Sequence, residues 1–224
     1  MKKIVIICVL LLLFATGFFF FEDSRYMLVS MMAAILSCIP FFIRFEKKDI
    51  SEREIVMVAV MTALNIASRF LFAAVPHFKP VTAIVIITGM HFGADAGFVT
   101  GAFTALISNF YYGQGPWTPF QMAVWGLIGF AAGIINRRGS LEKNKILQIL
   151  FSALSGVLFS LALDIVTTLE SGGFSFERYL LFIISSLPIM ATYAVSNVIF
   201  ILVLEKPIGK RLKRLKTKYG LFSK

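Results

Sequence analysis

The chain is written in long apolar blocks separated by short polar stretches, rather than in the alternating or three-to-four spacing of half-buried soluble elements. Eight blocks stand out, at about 4–21, 26–43, 55–75, 81–92, 97–112, 119–135, 146–168 and 178–204. A hydrocarbon layer roughly 30 Å thick takes about 20 apolar residues per helical span. The pattern therefore predicts an all-α integral membrane protein. The fourth block is short for a span, which predicts little tilt or an incomplete crossing.

Polar interruptions divide the chain further. Residues 1–45 predict an N-terminal transmembrane hairpin. Met1-Lys2-Lys3 followed by Ile4 to Phe21 has the start of a secretory signal, but no small-x-small cleavage site closes it, and a second apolar block begins after Glu22 to Arg25. Residues 46–54 form a charged connector in which Ser51 and Glu54 have the spacing of a capping box for the next helix. Residues 55–204 then predict a six-helix membrane domain, and 205–224 a basic tail. In that tail Ile208, Leu212 and Leu215 share one helical stripe among Lys and Arg, an arrangement suited to an anionic membrane surface.

The formal net charge of +10 is a topology signal. With the N-terminus inside, 18 of the 22 Lys and Arg fall on cytoplasmic segments; only Arg25, Arg69, Lys79 and Arg178 do not. The positive-inside bias predicts a multi-pass protein of the cell membrane with both termini cytoplasmic. It leaves no excess basic surface calling for nucleic acid. Composition agrees, with 58% apolar and 15% charged residues.

No phosphate-binding loop, H-E-x-x-H, G-x-S-x-G or paired-cysteine motif is present. Cys8 and Cys38 both lie inside apolar blocks, and His77 and His91 fall at opposite faces of the predicted membrane domain. No metal, cofactor or catalytic group is expected, and binding is favoured over bond cleavage.

Small residues are ordered. Gly89, Gly93, Gly97 and Gly101 recur at every fourth position, followed by Gly126, Gly129 and Gly133. In lipid this spacing lets helix backbones approach closely; Gly93, within FGADAG, also suits a tight turn.

Polar side chains inside the blocks are the candidate chemistry. Arg69 and Asp164 each need a partner or a wet cavity, because a charge at that depth costs roughly 2.5–3.5 kcal/mol on insertion scales. They are expected either to pair with each other or to face substrate. Asn109, Tyr193 and Asn197 serve interhelical hydrogen bonding or binding. The loop Pro76-His77-Phe78-Lys79-Pro80 is rigid at both ends and reads as a lid or a plain turn. From Ser108 to Gly129 the chain reads SNFYYGQGPWTPFQMAVWGLIG. Thr118 is the expected N-cap of the helix restarting there, with Pro119 at N1 and Gln121 at N3. Its rings, including Tyr112, Trp117 and Trp125, form either an interfacial belt or, with Asn109, Gln114 and Gln121, the wall of a small-molecule pocket.

From about 54 to 204 the chain resembles the substrate-binding S component of energy-coupling factor (ECF) vitamin transporters. The resemblance rests on Ala59-x-x-x-Ala63-x-x-x-Ala67, on FKPVTAIVIITGMHFGADAGFVTGAFTALISN and on GQGPWTPFQMAVWGLIG. It implies a six-helix protein that captures a vitamin from outside and docks, through the alanine stripe, on a transmembrane coupling (T) subunit driven by two cytoplasmic ATPases. The GPWTPFQM variety looks most like cobalamin members, with riboflavin, folate or another vitamin precursor as alternatives; Arg69 or Lys79 would meet the phosphate of cobalamin. The N-terminal hairpin departs from the family pattern. The rival of another class is a membrane enzyme acting on a lipid-linked substrate through Asp164 or Asp95.

Overall fold

A computed structural model describes residues 26–46 and 51–222. They form eight α-helices: α1 (Tyr26–Glu46), α2 (Glu52–Leu71), α3 (Val81–Phe92), α4 (Ala94–Tyr112), α5 (Trp117–Ile135), α6 (Ser140–Lys143), α7 (Lys145–Glu170) and α8 (Phe176–Tyr219), with a 3₁₀ turn at Asn136–Arg138. No strand occurs among the described residues. The expected first helix, at 4–21, and part of the charged connector lie outside them.

Among the described residues, four helices are long and apolar enough to cross a membrane: α2, α5 with its following turn, α7 and α8. Their outward faces are apolar. On α7, Ile146, Leu150, Leu154 and Leu158 recur every fourth residue and are each at least 49% exposed. A stripe of that size is a lipid contact rather than a soluble surface.

Helix α3 is the centre. All twelve of its residues are buried, which is why its sequence carries no polar face. Pro80 and Gly93 bound it as N-cap and C-cap, and Gly93 has φ 95°, a conformation open to glycine that turns the chain directly into α4. The glycine series brings α3, α4 and α5 into backbone contact. A Cβ on Gly89 would lie 2.1 Å from the Gly129 carbonyl oxygen, and one on Gly97 only 2.5 Å from the same atom. Dispersion between closely spaced backbones thus replaces the hydrophobic drive that lipid removes.

Helix α2 begins with the expected capping box: Glu54 N donates to Ser51 Oγ (3.4 Å), and Ser51 N to Glu54 Oε2 (3.0 Å). It ends at Leu71 rather than 75, because residues 72–80 fold into the irregular loop that borders the cavity described below. On the other side of α4 and α5, Phe41 of α1 stacks on Phe98 (centroids 4.0 Å) and meets Phe130 edge-on. Cys38 beside it is 2% exposed.

The last helix differs most from expectation. It runs unbroken from Phe176 to Tyr219 and so absorbs most of the tail separated at residue 205. Leu212 is 4% exposed and joins the main core, with Ile208 packed against it, so their stripe faces protein rather than a membrane surface. Lys145 Nζ pairs with Glu205 Oε2 at 3.0 Å, Lys213 pairs with Glu142, and Lys216 Nζ donates to the His91 carbonyl (3.2 Å). Beyond the helix, Phe222 stacks on Phe92 and its N–H donates to Glu54 of α2.

Candidate substrate-binding site

A cavity of about 350 Å³ opens at the end of the bundle remote from this basic cluster. Arg69 of α2 lines it together with Pro76, His77 and Lys79 of the 72–80 loop, Val81 and Thr82 of α3, Gln121 and Trp125 of α5, Phe159 of α7, and Tyr193 and Asn197 of α8. Five helices therefore contribute side chains, and the loop borders the opening.

One wall is aromatic. Trp125 and Phe159 stack, and Tyr193 meets Phe159 edge-on at 5.2 Å. The Tyr193 hydroxyl is 3.0 Å from His77 Nδ1, tying the loop to α8. His77 has φ 58°, a left-handed conformation unusual for a side chain of its size. Burial, then the ammonium of Lys79, holds the His77 pKa below its ordinary value. Burial, then Arg69, does the same to Lys79.

The other wall is built on Arg69, which is 8% exposed. Its Nη1 donates to Ser108 Oγ and to Asn109 Oδ1, the latter at 2.8 Å. Asn109 Nδ2 then donates to Thr118 Oγ1 and to Gln121 Oε1, both at 2.9 Å. The guanidinium also lies over the rings of Tyr112 (4.4 Å) and Trp125 (5.3 Å), while Lys79 Nζ sits 4.8 Å from the Tyr112 centroid. Tyr112 donates its hydroxyl hydrogen to the Arg69 carbonyl (2.8 Å). Two cations thus rest on one ring, where the π-face supplies the negative potential.

Of the residues singled out in the sequence, Arg69, Lys79, Gln121, Trp125, Tyr193 and Asn197 lie in the cavity wall. Asn109 and Tyr112 stand one layer behind, contacting Arg69. Gln114 and Trp117 lie elsewhere. Gln114 is exposed and donates to Leu106 O, and Trp117 covers Gly115 and donates to Gly113 O. The expected Arg69–Asp164 pair does not form: Asp164 Oδ2 accepts from Ser186 Oγ at 2.7 Å on the neighbouring α8. Thr118 is not an N-cap either. The cap position is Pro116, and the Thr118 hydroxyl, inside the first turn, accepts from Asn109. Gln121 is consequently free of capping and available to the cavity. His77, Phe159 and Thr82 were not singled out for binding; His77 had a signal in its place beside Lys79 in a Pro-bounded loop, whereas Phe159 looks like any apolar residue of its span.

Residues 49–214 match the family model described as ECF-type riboflavin transporter, S component. The chain belongs to this family. S components are transport subunits, not enzymes, and membership implies a vitamin ligand together with T-subunit and ATPase partners. Asp164, which the sequence offered as a residue facing substrate, does not line the cavity, and neither does Asp95. No solved structure matches the chain.

Proposed function

We propose that this S component captures riboflavin, or a closely related flavin, at the extracellular side of the cell membrane and delivers it to a T subunit energised by two ATPases. The observation that carries the choice of vitamin is the cavity. About 350 Å³ lies near the lower end of the roughly 300–1,000 Å³ range of small-molecule sites. It suits a flat three-ring heterocycle bearing a short polyol chain. A corrin macrocycle with its amides and nucleotide loop is far larger. The stacked Trp125 and Phe159 offer an apolar plane for such a ring system, and Arg69, Lys79 and Gln121 offer donors to its carbonyls. The description of the matching family model points the same way.

Orientation follows from charge. Arg137, Arg138, Lys143 and Lys145 cluster with the basic part of α8, and the positive-inside bias puts that end in the cytoplasm and the cavity mouth outside. In this arrangement α2, α3, α4, α5, α7 and α8 form the six-helix substrate domain, with both chain termini cytoplasmic.

The test is to purify the protein from cells grown in rich medium, identify the co-purifying small molecule by mass spectrometry, and titrate riboflavin by the quenching of its own fluorescence. Co-purified flavin, with cobalamin and folate failing to compete, is the expected result. Competition by cobalamin at equal concentration would overturn the assignment of the vitamin.

A further inference from the structure

The polar wall of the cavity has a direction. A guanidinium carries donors and no acceptor, whereas a side-chain amide has an acceptor end and a donor end. Because Arg69 Nη1 donates to Asn109, the atom it meets must be Oδ1 (2.8 Å). Asn109 is thereby turned so that Nδ2 points away, and its two hydrogens are both committed, one to Thr118 Oγ1 and one to Gln121 Oε1. Gln121 in turn must present its oxygen to Asn109, which leaves its Nε2 as the free end. Asn109 is 1% exposed and does not line the cavity, while Gln121 does. Across the cavity Asn197 is turned the other way, since its Nδ2 donates to the Ser152 carbonyl at 3.2 Å. The donor character of the Gln121 end is therefore a consequence of Arg69, transmitted through one buried amide.

We infer that Gln121 is a specificity-determining residue and Asn109 its positioning residue: the relay from Arg69 presents an N–H donor to the ligand and selects a ring edge carrying carbonyl acceptors over one carrying an amino group. This deepens the flavin reading and rests on it. It separates a dione ring such as that of riboflavin from amino-substituted rings of the same size and shape. A buried donor facing an amino group stays unpaired, and sites that read hydrogen bonds reject such analogues strongly.

The relay makes an unusual demand on a residue that does not line the cavity. In Asn109→Asp the new carboxylate still accepts from Arg69, but it has no hydrogen to give Gln121. The Gln121 amide then turns its Nε2 toward that carboxylate and its oxygen toward the ligand. In Gln121→Glu the same cavity face becomes an acceptor directly. The experiment measures, in detergent, the affinities of wild type and both variants for riboflavin and for its analogues in which the C2 or the C4 carbonyl is replaced by an amino group, alongside thermal unfolding to establish that each variant is folded. Wild type should favour riboflavin over at least one analogue by about 10-fold or more. In both variants that ratio should fall by about 10-fold. A uniform weakening of all ligands, with the ratio unchanged, overturns the inference, as does a ratio that moves in Gln121→Glu but stays fixed in folded Asn109→Asp. Should Asn109→Asp fail to fold, the ratio in Gln121→Glu decides whether the donor is read at all. Wild-type protein that binds no flavin overturns the flavin reading and this inference with it, an outcome distinct from flavin binding without discrimination.

Discussion

Trp125 and Phe159 stack with ring centroids 4.9 Å apart and planes 7° from parallel, joining α5 to α7 in the cavity wall. Trp117, the other tryptophan, packs instead toward Phe120, Val166 and Leu169. The two indoles therefore have separable jobs. Trp125→Ala should weaken riboflavin binding by 10-fold or more, through lost ring contact and a cavity left against Phe159, whereas Trp117→Ala should leave affinity within about 2-fold. Fluorescence titration of the two variants checks this. Equal losses in both would return Trp125 to a purely structural role.

Arg69 and Asp164 present a second separation. Each is a buried charge in an apolar helix, yet Arg69 is held by Ser108, Asn109 and two aromatic faces, and Asp164 by Ser186. Groups with no shared partner usually add within about 0.3–0.5 kcal/mol. A double-mutant cycle of Arg69→Met and Asp164→Asn, read from unfolding in detergent, should give a coupling energy inside that range. A coupling of about 2 kcal/mol would mean that the two residues pair after all. Arg69→Lys should also bind flavin poorly, because one ammonium cannot reproduce a planar group that bridges Ser108 and Asn109 while lying on Tyr112 and Trp125.

The chain declared some of this openly and concealed the rest for identifiable reasons. The bounds of α3 follow from an apolar run punctuated by Pro80 and Gly93, the strongest local signals available. The glycine ladder was equally plain, because spacing of four has one geometric meaning on a helix. The end of α8 was hidden. Its apolar run stops where Glu205 and the basic residues begin, but helix continuation there is decided by contacts from distant segments, Lys145 to Glu205 and Glu142 to Lys213. Thr118 misled for a similar reason. By type it is a better cap than Pro116, and its hydroxyl is spent elsewhere, accepting from the buried Asn109 amide and from the Gly115 N–H. In the site, charged and amide residues inside apolar blocks marked themselves, since lipid tolerates them only with a purpose. Phe159 carried no such mark, and the mutual orientation of Arg69, Asn109 and Gln121 is a property of three helices that no single segment encodes.

The loop supplies a pH dependence. His77 lies among Lys79 and Tyr193, and its pKa is lowered in the folded protein, first by burial and then by Lys79. Between that lowered value and the unfolded value of about 6.5 the unfolded chain binds more protons, so stability rises with pH across this window and is lost as pH falls through it. The unfolding temperature of the purified protein should drop as pH is taken from about 7.5 to about 5, and His77→Gln should flatten that slope. An unchanged slope in His77→Gln would assign the pH dependence to other groups.

Coupling to the transport machinery turns on α2. Ala59, Ala63 and Ala67 all lie exposed on one face, beside exposed Val56, Val60 and Leu64, while Val58, Met61, Thr62, Asn65 and Arg69 turn inward. Among the described residues nothing covers the alanines, and residues four apart leave a shallow groove that another helix can enter closely. If that helix belongs to the T subunit, Ala63→Trp obstructs docking but faces away from Arg69 and the cavity. Riboflavin uptake by cells should then fall at least 10-fold, while the purified variant binds riboflavin with an affinity within about 2-fold of wild type and no longer co-purifies with the T subunit. Loss of folding and binding together would show that the groove is filled within this chain. Normal uptake would place the docking face elsewhere, and the next surface to test would be the outward side of α8, where exposed Val195, Ile199 and Leu202 run beside the same bundle.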